Sequence, residues 1–360
     1  MIVKEVTNSS NKAYFVIAED ADDLFSLRRV IEGGDYVIAD STRVIKQVGE
    51  YARPDKGERI KVRVSIRVEN ISFDQSIDRL RIAGIITSSS SELVSKGTHH
   101  SVTLRVGDPI TIDKGRKWSD LEINILRRPG DTSGFILIAI DTQEAAIAKL
   151  SGTHLEIIPN IYSGKSGKRY PQAIKKDSKT ESFFEDIERT ISSLFIAEKD
   201  RFKAIIFGPG ETKRRFYNFL SNATELVKST FLVLEGIDVA GEDGIYVFLR
   251  SSAMKEVMKT SKLASVSLIV DEIMSLVSKG EIRFAIGIDE VQNAASMKAI
   301  RHLVLSDSIF ETAAESEIIK LLNLLEGQGV KVYAVDSSTD IGMRVSALGG
   351  IVALLRYAIS

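Results

Sequence analysis

Apolar and polar side chains alternate through Arg59–Phe73: Ile60, Val62, Val64, Ile66 and Val68 fall on one side, Lys61, Arg63, Ser65, Arg67 and Glu69 on the other. Successive side chains of a strand point to opposite faces, so a period of two predicts a half-buried strand with a polar, mainly basic outer face. Shorter runs at Met1–Val6, Lys12–Glu19, Leu80–Ile86, His100–Val106, Pro109–Ile112 and Leu121–Leu126 read as further strands. Among them lies one helical pattern. Asp20 stands where an N-cap is needed, Asp22 and Asp23 occupy the first turn, Leu24, Leu27 and Ile31 share a face, and Gly33-Gly34-Asp35 provides the stop. Many short strands with one helix predict a small β-barrel or a strongly bent sheet.

Arg127–Gly134 is rich in turn formers and marks a first boundary. Beyond it Phe135–Asp141 is a continuous apolar run, and Ala145–Leu150 and His154–Ile158 complete a meander. Pro159–Lys179 reads as an exposed loop. The period then changes. Helices are expected at Glu181–Glu198, Glu211–Val227, Leu263–Lys279, up to Met297, and Ala313–Glu326. They alternate with strands at Lys203–Phe207, Phe231–Leu234, Arg283–Ile286, His302–Leu305, Lys331–Val335 and Ile351–Leu355. Alternation of this kind implies parallel or mixed sheets covered by helices. With a second boundary near Thr260, the expected domains are 1–130, β-rich; 131–260, α/β; and 261–360, α/β. The fold class is thus multi-domain α+β and α/β.

Composition agrees with a fully folded chain: 44% of the 360 residues are hydrophobic and 27% charged, with only 6 Pro. Cys is absent, which excludes a disulfide framework, a zinc ribbon and a thiol nucleophile and suits a reducing compartment. No apolar leader follows a basic cap and no window is long and apolar enough to span a bilayer, so a cytoplasmic protein without membrane contact is expected. Net charge is −1, but its distribution is uneven. Arg43, Lys46, Arg53, Lys56, Arg59, Lys61, Arg63 and Arg67 crowd one segment against Glu50, Asp55 and Glu58. Lys165, Lys168, Arg169, Lys175, Lys176 and Lys179 crowd another against Asp177. Such concentrations are either solvated faces or places that touch phosphate.

Chemistry is harder to find. Gly208-Pro209-Gly210-Glu211-Thr212-Lys213 follows a strand and opens a helix, but a phosphate-cradling loop needs four residues between its glycines and then Gly-Lys-Ser/Thr, so this reads as a tight turn. His99, His100, His154 and His302 lie in no metal-ligand spacing, and His100 reads as structural. Paired carboxylates recur, Asp20 with Asp22 and Asp23, Asp271 with Glu272, and Asp289 with Glu290: a divalent metal cation on such a cluster could activate water for phosphodiester cleavage, although helix capping and solvation explain them more simply.

Several strings together resemble the Pelota family, the ribosome-rescue relatives of class-one peptide release factors. They are Ala21–Asp35 (ADDLFSLRRVIEGGD), Val68–Asp74 (VENISFD) running into Leu80–Gly84, Lys96–Thr103 (KGTHHSVT), Ile205–Lys213 (IIFGPGETK), Arg283–Ala295 (RFAIGIDEVQNAA), Leu303–Phe310 (LVLSDSIF) and Val330–Leu355. Their order spans nearly the whole chain, and the short C-terminus is more similar to the archaeal form. The resemblance implies an Sm-like β-barrel domain that enters the decoding region, a central domain like the release-factor middle domain, and a C-terminal domain like a ribosomal protein. It implies recognition of stalled ribosomes with an empty A site, delivery by a translational GTPase (in archaea the elongation factor that brings aminoacyl-tRNA), and subunit dissociation aided by an ABC-type recycling ATPase.

On this reading Arg43, Lys46, Arg53, Lys56, Arg59, Lys61, Arg63 and Arg67 face ribosomal and messenger RNA. Lys165, Lys168, Arg169, Pro209 and Gly210 contact the GTPase or ribosome. In the family a dense basic cluster comes soon after an Ile-Pro, whereas here Asn160-Ile161-Tyr162 follows Ile158-Pro159 and the basic residues come later. Release factors hydrolyse peptidyl-tRNA with Gly-Gly-Gln. The two Gly-Gly pairs here precede Asp35 and Ile351, so peptide release is not expected. Two functions follow: an adaptor without cofactor, monomeric like its family, or a metal-dependent endoribonuclease acting on stalled message through Asp20, Asp22 and Asp23.

Overall fold

The computed structural model describes residues 1–8, 11–45, 58–73, 78–128, 134–164, 176–196, 202–223, 230–259 and 261–359. Two compact units emerge, Met1–Gly130 with Phe310–Ala334, and Asp131–Ile309 with Val335–Ser360.

In the first unit, β1 (Ile2–Asn8), β2 (Asn11–Ile17), β3 (Tyr36–Ile45), β4 (Glu58–Phe73), β5 (Arg79–Ser89), β6 (His99–Arg105) and β7 (Pro109–Asp113) form one sheet in the order β1-β2-β7-β3-β4-β5-β6. Every pairing in it is antiparallel. The barrel expectation is corrected here: β1 and β6 are the two edges and do not pair, so among the described residues the sheet is open. Its inner face and helix α1 (Ala21–Val30) share a core that includes Leu24, Leu27, Val37, Val64, Ile66, Leu80, Ile82, Leu104 and Ile112. Asp20 caps α1 as expected, accepting from the Asp23 amide at 2.8 Å, but the helix stops at Ile31, ahead of the glycine pair.

A second correction concerns Leu121–Leu126. Its alternating Leu121, Ile123 and Ile125 suggest a strand, yet Asp120–Leu126 is helix α2. A capping box decides it: Ser119 Oγ accepts from the Glu122 amide while the Glu122 carboxylate accepts from the Ser119 amide at 2.7 Å.

Also in the first unit, Phe310 packs on Phe73 with ring centroids 5.2 Å apart. Arg28 and Arg29 of α1 reach Glu315, Asn323 and Glu326.

In the second unit, β8 (Gly134–Ile140), β9 (Glu144–Ser151), β10 (His154–Tyr162), β11 (Phe202–Phe207) and β12 (Phe231–Val233) make a mixed sheet in the order β10-β9-β8-β11-β12. The hairpin strands are antiparallel, while β11 runs parallel to β8 and β12. Helices α3 (Lys176–Ile196) and α4 (Thr212–Ala223) follow the expected alternation, and Phe183, Phe184, Ile187 and Phe216 pack with Ile136, Ile138 and Ile206. Two further helices, α5 (Gly241–Arg250) and α6 (Ser252–Val257), were not expected from the sequence. Phe248 of α5 stacks on Phe207 with centroids 4.7 Å apart.

A third sheet, order β13-β16-β14-β15, is built from β13 (Phe284–Ile286), β14 (Ile300–Ser306), β15 (Lys331–Val335) and β16 (Ile351–Leu355). Its helices are α7 (Lys262–Lys279), α8 (Ile288–Ser296), α9 (Ile309–Thr312), α10 (Glu315–Gly327) and α11 (Asp340–Ala347). The architecture is therefore α+β, an antiparallel β-sheet domain followed by two mixed α/β sheets. No described helix is long and apolar enough to cross a membrane.

Candidate nucleic-acid interface

β4 behaves as its alternation requires. Val62, Val64, Ile66 and Val68 are buried, and Lys61, Arg63 and Arg67 are exposed on the opposite face. Antiparallel register with β3 sets Lys61 opposite Thr42, Arg63 opposite Asp40 and Arg67 opposite Tyr36. Arg63 meets Asp40 only at 3.9 Å, both side chains being more than half exposed, a geometry worth little in water.

The neighbouring strands add cations that sequence density did not reveal. On β5, Leu80, Ile82 and Ile86 point into the core and Arg79 and Arg81 point out; on β6, Val102 and Leu104 are buried and Arg105 is exposed. Register sets Arg79 directly opposite Arg105, Arg81 opposite Thr103 on one side, and Arg81 opposite Ser72 on the other. Arg79 has Asp78 at 3.9 Å and His99 has Glu69 at 3.2 Å. Among the described residues, Lys61, Arg67, Arg81 and Arg105 form no ion pair.

One glycine shapes this face. Gly84 lies opposite Val68, where the β4–β5 register shifts, and a Cβ added there would sit 2.0 Å from the Arg67 carbonyl oxygen. Only a residue without a side chain lets the two backbones approach this closely beside Arg67. Ser41 Oγ lies 2.9 Å from His100 Nε2, consistent with a structural role for that histidine.

The charges inside the same unit are treated differently. Lys114 is fully buried, 3.0 Å from Asp35 and 2.7 Å from Glu122, and Arg116 lies 2.7 Å from Glu122. Burial opposes ionisation of Glu122, but hydrogen bonds from Arg116, Lys114 and the Ser119 amide outweigh it and bring its pKa down to about 2. For Asp35 burial prevails and raises the pKa. Interior cations are thus held against carboxylates at close range, whereas on the outer sheet face Arg63 and Arg79 meet carboxylates only at 3.9 Å and, among the described residues, Lys61, Arg67, Arg81 and Arg105 meet none.

Lys46, Arg53, Lys56, Lys165, Lys168 and Arg169 lie outside the described residues. Arg43 lies on β3 and Arg59 on β4, opposite Val44, with only their backbones described. Pro209 and Gly210 sit in the β11–α4 turn. There Lys213, buried, donates to the Gly208 and Gly210 carbonyls at 2.9 Å each and pairs with Glu235 at 2.9 Å. A lysine so engaged closes the turn on itself rather than wrapping a phosphate, as the spacing predicted. Asp20 and Asp23 are committed to the α1 N-terminus: Asp23 accepts from the Glu19 amide at 2.8 Å and pairs with the Met1 amino group at 2.6 Å. Among the described residues no three His, Asp or Glu side chains are grouped to hold a metal ion.

Three family descriptions match in succession. The Pelota N-terminal domain covers residues 1–129, domain 2 of eRF1 covers 134–260 and domain 3 of eRF1 covers 263–359. The pelota homologue of Nitrosopumilus maritimus is 52% identical, with 96% of each chain covered. That of Cenarchaeum symbiosum is 42% identical over 96% of this chain and 97% of its own, and that of Pyrococcus furiosus 32% over 95% of each. Among solved structures, Pelota from Archaeoglobus fulgidus superposes with a TM-score of 0.51 at 25% identity, covering 100% of this chain and 99% of its own. Thermoplasma acidophilum Pelota shares the fold, with a TM-score of 0.63 at 23% identity and full coverage of both chains.

Proposed function

The chain belongs to the Pelota family, and from that premise we propose that it is a ribosome-rescue adaptor, recognising stalled ribosomes with an empty A site and promoting their dissociation into subunits. In this reading the β-rich domain, 1–130, acts as the Sm-like module that enters the decoding region. The central domain, 131–260, and the C-terminal domain, 261–360, engage a translational GTPase, in archaea the elongation factor that delivers aminoacyl-tRNA, and an ABC-type recycling ATPase.

The observation that carries the reading is the outer face of β4. Lys61, Arg63 and Arg67 share one exposed side of the sheet and are not neutralised by interior carboxylates. A polyanion is the partner that such a face suits, because binding releases the counterions condensed on phosphates. The lack of a Gly-Gly-Gln string argues for rescue without peptide release. The nuclease alternative has no comparable support, since two of its three carboxylates already cap and brace α1.

Sedimentation of the full chain with vacant ribosomes, with and without the GTPase and GTP, tests the proposal. Co-sedimentation that strengthens with the GTPase is expected. A protein that stays in the supernatant at low salt in both cases would refute it.

A further inference from the structure

We infer that Arg79, Arg81 and Arg105 form a second phosphate-binding strip across β5 and β6, which extends the β4 face and grips RNA backbone independently of Lys61, Arg63 and Arg67. This rests on the rescue reading and adds to it a contact surface that chain order conceals.

The first support is the register. Arg79 and Arg105 are direct cross-strand partners, which sets their Cβ atoms about 5 Å apart. Like charges at that spacing repel, and a sheet normally avoids them or places a carboxylate between them. Here the nearest described carboxylate to Arg79 is Asp78, at 3.9 Å, and the Asp108 side chain accepts from the Arg105 backbone amide at 2.9 Å, with no ion pair to its guanidinium. An anion between the two guanidiniums would turn repulsion into attraction on both sides.

The second support is what surrounds them. Arg81 faces Thr103 and Ser72 across its two neighbours, and Ser65, Thr87 and Ser101 occupy further outward positions. Thr87 Oγ1 lies 3.0 Å from Ser65 Oγ. Hydroxyls between fork-shaped donors are groups that bind phosphate and sugar oxygens, and guanidiniums can bind phosphate with two hydrogen bonds each. Among the described outward positions of β5 and β6, Ile85 is the one large apolar side chain, so an apolar protein surface would find little to bury against on these strands.

The third support is continuity. Ile85 of β5 is the cross-strand neighbour of Arg67, so the strip adjoins the β4 cations on the same side of the same sheet.

Two triple variants of the full chain separate the strip from the β4 face: Arg79→Gln/Arg81→Gln/Arg105→Gln and Lys61→Gln/Arg63→Gln/Arg67→Gln. Each is titrated against vacant ribosomes and against a fluorescein-labelled single-stranded oligouridine RNA across a salt series. All six positions are exposed, and an unchanged thermal midpoint checks that each variant folds. The strip variant is expected to weaken both interactions by on the order of tenfold and to lower the salt slope by about 2, as loss of two to three phosphate contacts requires. The Arg→Lys version of the strip keeps the charge and should recover most of the salt slope, supporting a phosphate contact.

Wild-type affinity of the strip variant, beside weakened binding of the β4 variant, overturns the strip and leaves the rescue reading standing. Loss of ribosome binding with unchanged oligouridine binding also overturns it, because the strip would then meet a protein. If wild-type binding is flat across the salt series and neither variant is weakened, the failure lies in the rescue reading itself.

Discussion

Gly84 and Glu122 show how single residues hold the first unit's outer and inner surfaces apart. At Gly84 any side chain would collide with the Arg67 carbonyl oxygen, since the added Cβ would stand 2.0 Å away. Gly84→Ala must therefore push β4 and β5 apart. It should lower stability by about 2 kcal/mol or more, read from urea denaturation, and displace Arg67 in the process. A variant as stable as the wild type would show that the strands tolerate separation there.

Glu122 lends itself to a pH experiment. Its folded pKa, about 2, lies below the ordinary 4.5, so the stabilisation it contributes is complete above 4.5 and is lost as pH falls toward 2. Asp35, shifted upward, contributes the opposite slope. Glu122→Gln should therefore be destabilised near neutral pH and should lose the part of the acid-induced decline that falls between pH 4.5 and 2. Denaturation curves of equal slope for variant and wild type in that window would contradict the assignment. The cost near neutral pH arises because Lys114 remains fully buried with one carboxylate fewer.

At the scale of elements, capping outweighs periodicity where the two disagree. Leu121, Ile123 and Ile125 have the spacing of a strand, yet Ser119 and Glu122 satisfy each other's amides and start a helix. Ser119→Ala should cost about 1 kcal/mol, measured by urea unfolding, and a loss near zero would mean that packing of Ile125 and Leu126 alone fixes α2. The Ser119-x-x-Glu122 signal is present in the sequence and could have found the helix. By contrast, α5 begins Gly241-Glu242-Asp243-Gly244, two glycines in four residues, and is poorly marked by propensity; it is held by Ile245, Phe248 and Leu249 against its surroundings. The turn at Pro209 and Gly210 was readable from spacing alone, because Gly-x-Gly before Glu-Thr-Lys cannot make a phosphate cradle. Lys213 then shows what the lysine does instead.

For the whole molecule, the net charge of −1 conceals a basic outer face on one sheet. Binding through about four phosphates predicts that affinity for ribosomes falls about a hundredfold between about 50 and 200 mM salt. Affinity that is constant across that range would rule out the face as the main contact. The Pelota and eRF1 domain matches follow one another along the chain, over residues 1–129, 134–260 and 263–359.

Local order along the chain was enough to determine most strands, the Asp20 cap, the inward and outward faces of β4, and the family resemblance. These depend on neighbours a few residues away, and periodicity and capping record such neighbours directly. Sheet closure, and the meeting of Arg79 with Arg105, were decided only by tertiary structure. They depend on which strand lies beside which and in what register, a consequence of packing the whole inner face at once. Two arginines 26 positions apart carry no mark in sequence that they will stand side by side.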